Sequence, residues 1–518
     1  MAKPASTAAD SGPTLSRELG LWDGTMLVAG SMIGSGIFIV AADIAGFVDS
    51  AGWVLVTWVI TGLLTVFAAL SFGQLAQRIP HTGGQYAYLR ELYGPIFGFL
   101  YGWTYFMVIN TGSAAAVAVG FARYLGVMVP WINAGKDAAT GADTWVVAPI
   151  RLSDSYAISL STQQLVAILS IVLLTWLNSR GLKLGKLIQS TFTSAKTLAL
   201  VLLIVVGLTI GWNADAVASN FRDVWTPRHP MALTPGLSWL PELTASMGFI
   251  GLLVALCVAQ VGSLFSADAW NSVTFTAGEV KDPRRTVRLA LIWGTVLVTA
   301  LYVLANLAYL VVLPMDGIRN AADSRVATAV LEQIWGPAGA TVMAVAIVIS
   351  TFGCNNGLLL SGARVYYAMA RDGVFFKSVG TLNKSRVPGV ALWWQCVWAC
   401  ALVLPRTVGM GADGAPSYGN LYSDLLDYVI FATLIFYVLT CAGLFKVRLR
   451  EGGKPAEGAE PVKLLLPTLY CVGATLILLV LLAYKTNTTW PGLIIVLAGV
   501  PVFYLWGGRA GPAAQPEG

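Results

Sequence analysis

The hexapeptide Ile33-Gly34-Ser35-Gly36-Ile37-Phe38 lies about ten residues inside the first long apolar segment, which begins near Thr25. At roughly 1.5 Å of rise per helical residue this depth is about 15 Å, the middle of a hydrocarbon layer roughly 30 Å thick. Two glycines around a serine weaken a helix, and backbone groups freed at this depth are tolerated only where they line a cavity. The sequence therefore predicts that the first membrane helix is broken at its midpoint.

The composition is that of a membrane protein with several spans. The 518 residues are 56% hydrophobic and 11% charged, with a mean hydropathy of +0.71, and the apolar residues form long blocks. The polar opening and the long first apolar segment indicate a retained span rather than a signal peptide. The net charge of +6 does not indicate nucleic-acid binding, because the basic residues are scattered over short loops.

Apolar blocks separated by polar breaks predict twelve membrane helices and no soluble domain. The segments lie near 25–48, 52–76, 93–126, 161–178, 187–211, 242–278, 287–313, 334–370, 387–404, 420–445, 464–484 and 490–506. We expect a membrane domain over 21–506 between a tail at 1–20 and a tail at 507–518. With the N-terminus inside, the loops on the cytoplasmic side hold more than twice as many Lys and Arg residues as the opposite loops, so both termini are predicted to be cytoplasmic.

Metal binding and histidine chemistry are not indicated. The six cysteines all lie in apolar segments and form no CxxC pair, and the chain has two histidines, His81 and His229, neither at the depth of the break. We expect no metal and no cofactor. An intramembrane enzyme would need a nucleophile–base pair or metal ligands, and the sequence offers neither at the depth of the break.

Three further polar features lie at the depth of the first break. Lys196 lies nine residues into the fifth segment, Asp268 lies eleven residues before Glu279 in the sixth, and the eighth carries the polar run 350–357. An intramembrane charge costs at least roughly 2.5–3.5 kcal/mol, so each requires a partner or a wet cavity. Their common depth favours a solute site.

The positions of the breaks indicate a repeat. Gly262 and the small residues around Asp268 predict a second break, so that the first helix of each half, 25–211 and 242–445, is interrupted. The alternatives at single positions are helix packing through Gly30 and Gly34, an ion pair between Lys196 and Asp268, and a capping role for Asp268. Paired breaks favour a carrier with a midplane site over a channel or a nutrient receptor.

At these residues the chain resembles the amino acid–polyamine–organocation superfamily, and within it the L-amino-acid transporter branch. The matching stretches are 33–38, 192–196, 262–271, 350–353 and 371–373, in family order across nearly the whole chain. The resemblance implies an all-α leucine-transporter-like fold. In that fold ten helices form two inverted repeats of five, the first and sixth helices are broken, and two peripheral helices follow at 464–506.

The resemblance also implies roles for nine residues. Backbone amides near Gly34, Ser35 and Gly36 would bind the substrate carboxylate, which agrees with the positive end of a half-helix. Carbonyls of Met32, Phe265, Ser266 and Asp268 would accept the ammonium group, and the Phe265 ring would cover the substrate. Lys196 would take the place of a sodium ion, bridging the first segment and Ser350. These residues are Met32, Gly34, Ser35, Gly36, Lys196, Phe265, Ser266, Asp268 and Ser350.

Asp268 departs from the family pattern, in which glycine is common at this position. An acidic side chain there would strengthen ammonium binding, reach a cationic substrate or take up a coupled proton. The loop between the third and fourth segments has no cysteine, so we expect no disulfide-linked helper subunit.

The sequence thus predicts sodium-independent transport of L-amino acids, with neutral side chains favoured, by exchange or uniport across the plasma membrane. Proton-coupled uptake with Lys196 or Asp268 as the protonated group, or symport of a cationic amino acid or polyamine, is the alternative.

Overall fold

The computed structural model describes residues 20–79, 83–133, 144–275, 277, 280–385, 387–410, 416–418, 421–452 and 459–507. The predicted tails at 1–20 and 507–518 therefore lie almost entirely outside the described residues, as does His81. The described part is helical except for loops and one small sheet.

Within this part, ten helices are long and apolar enough to cross a membrane. They are α4 (Ala51–Arg78), α6 with α7 (Pro95–Thr104 and Asn110–Met128, joined by a π-helical turn over Tyr105–Ile109), α8 (Thr162–Ser179), α9 (Leu182–Thr209), α11 (Gly248–Ser266), α13 (Pro283–Val312), α16 (Pro337–Arg371), α18 (Leu421–Glu451), α19 (Leu465–Tyr484) and α20 (Thr486–Gly507). The chain is therefore a multi-pass membrane protein.

The two remaining predicted segments form shorter helices. The first consists of α1 (Leu21–Met32), α2 (Gly36–Ile39) and α3 (Ala41–Val48), and the ninth contains α17 (Gly389–Leu402). Loops carry α5 (Gly84–Tyr93), α10 (Ala214–Phe221), α12 (Ser272–Phe275), α14 (Met315–Arg319) and α15 (Val326–Trp335), with 3₁₀ turns at Ala322–Ser324 and Lys377–Gly380. Each predicted segment thus contains a helix, although the first and ninth are too short to cross a membrane as single helices.

A four-stranded antiparallel sheet corrects the all-α expectation. Its strands, in spatial order, are β1 (Trp145–Arg151), β2 (Tyr156–Ser161), β3 (Pro405–Met410) and β4 (Pro416–Tyr418). The sheet joins the connection between α7 and α8 to the connection between α17 and α18, through pairs such as Ala157 with Arg406. It was missed because each strand is short and lies in a loop between much longer apolar blocks. We call this end of the molecule the sheet face and the opposite end, where α1 begins, the α1 face.

Burial separates the central helices from the peripheral ones. In the most apolar window of α19 and α20 only 28% of the residues are buried, compared with 67% in α11 and α18. Large apolar side chains such as Leu202, Val205 and Leu479 are exposed, as expected for a surface that faces lipid rather than water. The placement of α19 and α20 agrees with the peripheral role expected for 464–506.

Both predicted breaks are present. The first helix ends at Met32, Ile33 has extended backbone angles (φ −72°, ψ 97°), and the helix resumes at Gly36. The sixth segment is helical to Ser266 and resumes at Ser272, with Ala269 between them at a φ of 63°. A left-handed backbone angle is costly for alanine, which marks a locally strained turn.

Candidate functional site

The two breaks lie against each other in the centre of the bundle. A Cβ atom on Gly36 would lie 2.2 Å from the Ser266 hydroxyl oxygen, so only glycine permits this approach of α2 to α11. A Cβ atom on Gly34 would lie 3.1 Å from the Cys354 sulfur in α16. The glycines of the hexapeptide therefore serve close packing and helix interruption together.

Tyr302 of α13 ties the two interrupted helices to each other. Its buried hydroxyl lies 2.9 Å from the carbonyl oxygen of Met32 and 2.9 Å from that of Ser266. These are two of the carbonyls expected to receive an ammonium group, and both lie within hydrogen-bond distance of one tyrosine hydroxyl, which has a single proton to donate. Each oxygen retains a second lone pair for a ligand.

The first break leaves backbone donors without partners. Within the described part of the chain, the N–H groups of Gly34 and Ser35 donate no hydrogen bond to a protein acceptor. They precede the helix that resumes at Gly36, where the helix dipole is positive. Buried unpaired N–H groups at such a position favour an anion.

A cavity of about 980 Å³ leads from the α1 face to the second break. Its mouth is lined by Trp22, Asp23 and Arg364, and its inner end by Asp268, Asn271 and Cys354. This volume is ample for a free amino acid with its water. Of the nine predicted site residues, Asp268 lines the cavity and the other eight do not.

The Asp268 carboxylate is the charged group at the inner end of this cavity. One of its oxygens accepts a hydrogen bond of 2.7 Å from the Tyr437 hydroxyl of α18. Gln85 and Asn271, also in the lining, are linked to each other at 3.3 Å. The result is a polar wall with hydrogen-bond acceptors, suited to a ligand that carries donors.

Lys196 lies on α9 and is fully buried. Its ammonium group donates to the carbonyl oxygen of Gly30 in α1. A Cβ atom on Gly30 would lie 2.8 Å from the Thr193 side chain, so glycine lets α9 approach closely enough for this bond. The structure shows no ion pair between Lys196 and Asp268 and no bond from Lys196 to Ser350. The Ser350 hydroxyl is buried without a partner among the described residues.

The site is closed toward the sheet face. The Ser35 hydroxyl lies 2.9 Å from the Tyr422 hydroxyl, and the rings of Phe265 and Tyr422 meet edge to face at 6.1 Å. Among the described residues, these contacts lie between the two breaks and the sheet face, whereas the cavity opens to the α1 face.

Sequence reasoning missed the three tyrosines that complete the site, Tyr302, Tyr422 and Tyr437. Each lies in a long helix among other aromatic residues, and nothing in the local pattern distinguishes it from a tyrosine that packs against lipid. Their role depends on which helices are neighbours, which one sequence does not reveal.

Comparison with known proteins now decides the family. The sequence matches the family described as "Amino acid permease" over residues 19–504, nearly its whole length. This chain belongs to that family. The permease therefore belongs to a family of transporters of small molecules across membranes, not to a family of enzymes.

Similar proteins include transporters and exchangers from animals and bacteria. The permease is 29% identical over 511 residues to the human "Large neutral amino acids transporter small subunit 2", covering 97% of this chain and 83% of the relative. It is 27% identical over 498 residues to the rabbit "b(0,+)-type amino acid transporter 1", covering 95% and 88%. It is 26% identical over 493 residues to the "Serine/threonine exchanger SteT" of Bacillus subtilis (strain 168), covering 95% and 97%.

Proposed function

We propose that this permease exchanges neutral L-amino acids across the plasma membrane without sodium, with both termini in the cytoplasm. The observation that carries the proposal is the pair of unpartnered N–H groups at Gly34 and Ser35, which lie beside a second broken helix. Every amino acid presents a carboxylate, and two such donors at a helix start bind that group. The relatives named as amino acid transporters support the same substrate class.

The ammonium group of the substrate would be received by the carbonyl oxygens of Met32, Phe265, Ser266 and Asp268. Met32 and Ser266 already point their carbonyls at one hydroxyl, that of Tyr302, so these oxygens converge on one region. Carbonyl acceptors compensate a buried ammonium without requiring a metal ion.

The position of Lys196 supports sodium independence. Its ammonium group binds a carbonyl of the first interrupted helix and supplies a fixed positive charge there. A cation in that place makes a bound sodium ion unnecessary. The buried hydroxyl of Ser350 is a further candidate partner during the transport cycle.

Transport by alternating access is supported by the asymmetry of the two faces. The cavity is open at the α1 face, which the distribution of basic residues predicts to be cytoplasmic, and the opposite face is packed shut. A channel requires a path open at both faces, and a receptor requires no second opening. Saturable uptake that is stimulated by amino acid on the opposite side separates a carrier from both.

A cationic substrate or a coupled proton is the second candidate. The observation that favours it is the Asp268 carboxylate, which faces the cavity and has the Tyr437 hydroxyl as its donor. A carboxylate at this place either pairs with a positive side chain or carries a proton between the two faces.

Replacing Asp268 with glycine tests this second candidate. If Asp268 binds a cationic side chain, the variant loses arginine and lysine uptake about tenfold or more and retains leucine uptake, since an ion pair of this kind contributes about 1.5–3 kcal/mol. If Asp268 carries a proton, the pH dependence of uptake flattens. An Asp268→Asn variant, which keeps the shape and removes the charge, is the control. An unchanged substrate range and pH profile in both would make Asp268 a structural cap.

The proposed function is tested by uptake into proteoliposomes of one labelled neutral amino acid, with sodium replaced by choline. We expect equal uptake in both salts, and competition by other neutral L-amino acids but not by D-isomers or by compounds without a carboxylate. Uptake that requires sodium, or that a decarboxylated analogue inhibits equally well, contradicts the proposal.

A further inference from the structure

Four buried residues close the path between the two breaks and the sheet face, and we call them the Tyr422 latch. They are Ser35, Arg123, Phe265 and Tyr422. Tyr422, in the first turn of α18, is fully buried and contacts the other three. Its hydroxyl lies 2.9 Å from that of Ser35, its ring meets Phe265, and the Arg123 guanidinium lies 5.3 Å from the centre of its ring.

Arg123 links the latch to the sheet-face loop ahead of α15. It donates to the carbonyl oxygen of Asp323 at 3.1 Å, and Arg325 donates to the carbonyl oxygen of Arg123 at 3.4 Å. Arg325 and Asp323 also form an ion pair of 3.3 Å. The latch therefore joins α7, α11, α18 and this loop around the first break.

The contact between Ser35 and Tyr422 is enforced by packing from the other side. A Cβ atom on Gly120 of α7 would lie 2.9 Å from the Ser35 Cβ and 3.5 Å from the Tyr422 ring. The glycine lets α7 press against the break at this point. Ser35 thus has little freedom to leave Tyr422 unless the helices move apart.

Ser35 is also the residue whose N–H group is proposed to bind the substrate carboxylate. Opening the sheet face requires α18 to move away from the break, which separates the Tyr422 hydroxyl from Ser35 and its ring from Phe265 and Arg123. Once the Tyr422 hydroxyl has left, the Ser35 hydroxyl can donate to a carboxylate held on the adjacent N–H groups, whereas in the empty protein it has no substrate acceptor in place of Tyr422.

We propose that the Tyr422 latch makes this permease an exchanger, because it slows reorientation of the empty protein more than that of the loaded protein. This inference rests on the proposed function and assigns to Tyr422, a residue outside the predicted substrate contacts, the choice between exchange and uniport. It is a positioning role, since Tyr422 acts through Ser35.

The test compares uptake into proteoliposomes that are either empty or loaded with unlabelled substrate. For the wild-type protein we expect much faster uptake into loaded vesicles. Tyr422→Phe keeps the ring and removes the hydroxyl that pairs with Ser35, so the ratio of loaded to empty uptake should fall about two- to tenfold. Ser35→Ala should lower the ratio similarly, and the double variant should show no further fall because both changes remove the same bond.

Tyr428→Phe is the matched control, because it removes a tyrosine–tyrosine hydroxyl pair of 3.1 Å from the same helix, outside the latch. Its ratio should equal that of the wild-type protein. An unchanged ratio in Tyr422→Phe, or an equal fall in Tyr428→Phe, overturns the proposal.

A second measurement requires no transport. Met26 lines the cavity near the α1 face, so Met26→Cys in a Cys354→Ala background reports how often that face is open. Weakening the latch should slow labelling of the introduced thiol by a hydrophilic maleimide about two- to tenfold. An unchanged rate overturns the latch. If the wild-type protein transports equally well into empty and loaded vesicles, the exchange part of the proposed function fails. The labelling rate then still decides whether the Tyr422 latch holds the sheet face closed.

Discussion

Replacing Ser35 with phenylalanine should reduce amino acid uptake to background. Ser35 is 1% exposed and is held between α7 and the Tyr422 hydroxyl, so a benzyl group must enter the space beside the unpaired N–H groups. Two hydrogen bonds to a carboxylate contribute about 1.5–3 kcal/mol each, and losing both lowers affinity at least about 100-fold. Initial rates of labelled uptake in proteoliposomes measure this loss.

The control for this prediction is Ser35→Ala, which keeps the site open. It should elute as a monodisperse protein and retain transport, although its ratio of loaded to empty uptake changes. The phenylalanine variant must also elute as a monodisperse protein for its inactivity to concern the site. Normal uptake by a folded Ser35→Phe protein would remove the first break from the substrate path.

Replacing Lys196 with alanine should lower the turnover number about 10- to 100-fold while the protein remains folded. The change removes a charged donor from the Gly30 carbonyl of the interrupted helix, and a hydrogen bond of this type contributes about 1.5–3 kcal/mol. The α1 helix then loses its link to α9 during reorientation. The maximal rate and the unfolding temperature, measured on the same preparation, separate turnover from stability.

Lys485→Ala is the matched control for Lys196→Ala. Lys485, at the turn between the peripheral helices α19 and α20, forms an ion pair of 3.3 Å with Asp427 of α18 and lies over the Phe47 ring, and within the described part of the chain it makes no bond to either break. Its removal should leave turnover close to that of the wild-type protein. A turnover loss equal to that of Lys196→Ala would mean that removing a paired lysine elsewhere has the same effect, and a normal Lys196→Ala protein would exclude the proposed cation role.

The breaks were predictable because the glycines and small residues lie at the same depth as a lysine, an aspartate and a polar run, which helix packing alone does not explain. Gly34, Gly36 and Asp268 therefore marked the two breaks in the sequence, and Gly36 lies against Ser266 of the second interrupted helix. Lys196 was found by the same reasoning, since a buried charge demands a partner. Its partner, the Gly30 carbonyl, is a backbone atom and left no signal in the sequence.

The parts of the site that the sequence did not reveal depend on the packing of distant helices. The hydroxyl groups of Tyr302, Tyr422 and Tyr437 each bond to a residue on another helix. Tyr422 and Tyr437 lie more than 160 positions from their partners Ser35 and Asp268, and Tyr302 lies 36 positions from Ser266. The sheet was missed for a related reason. Its pairing of Ala157 with Arg406 connects two loops whose short strands are stabilised only by each other.

The central claim is that the site between the two breaks exchanges neutral amino acids without an ion gradient. Counterflow tests it most directly: proteoliposomes loaded with unlabelled leucine are diluted into labelled leucine, in sodium-free buffer at equal internal and external pH. We predict transient accumulation of label above its equilibrium level, which disappears when the vesicles contain no amino acid. Accumulation that appears only with a proton or sodium gradient, and does not depend on internal leucine, would contradict the account.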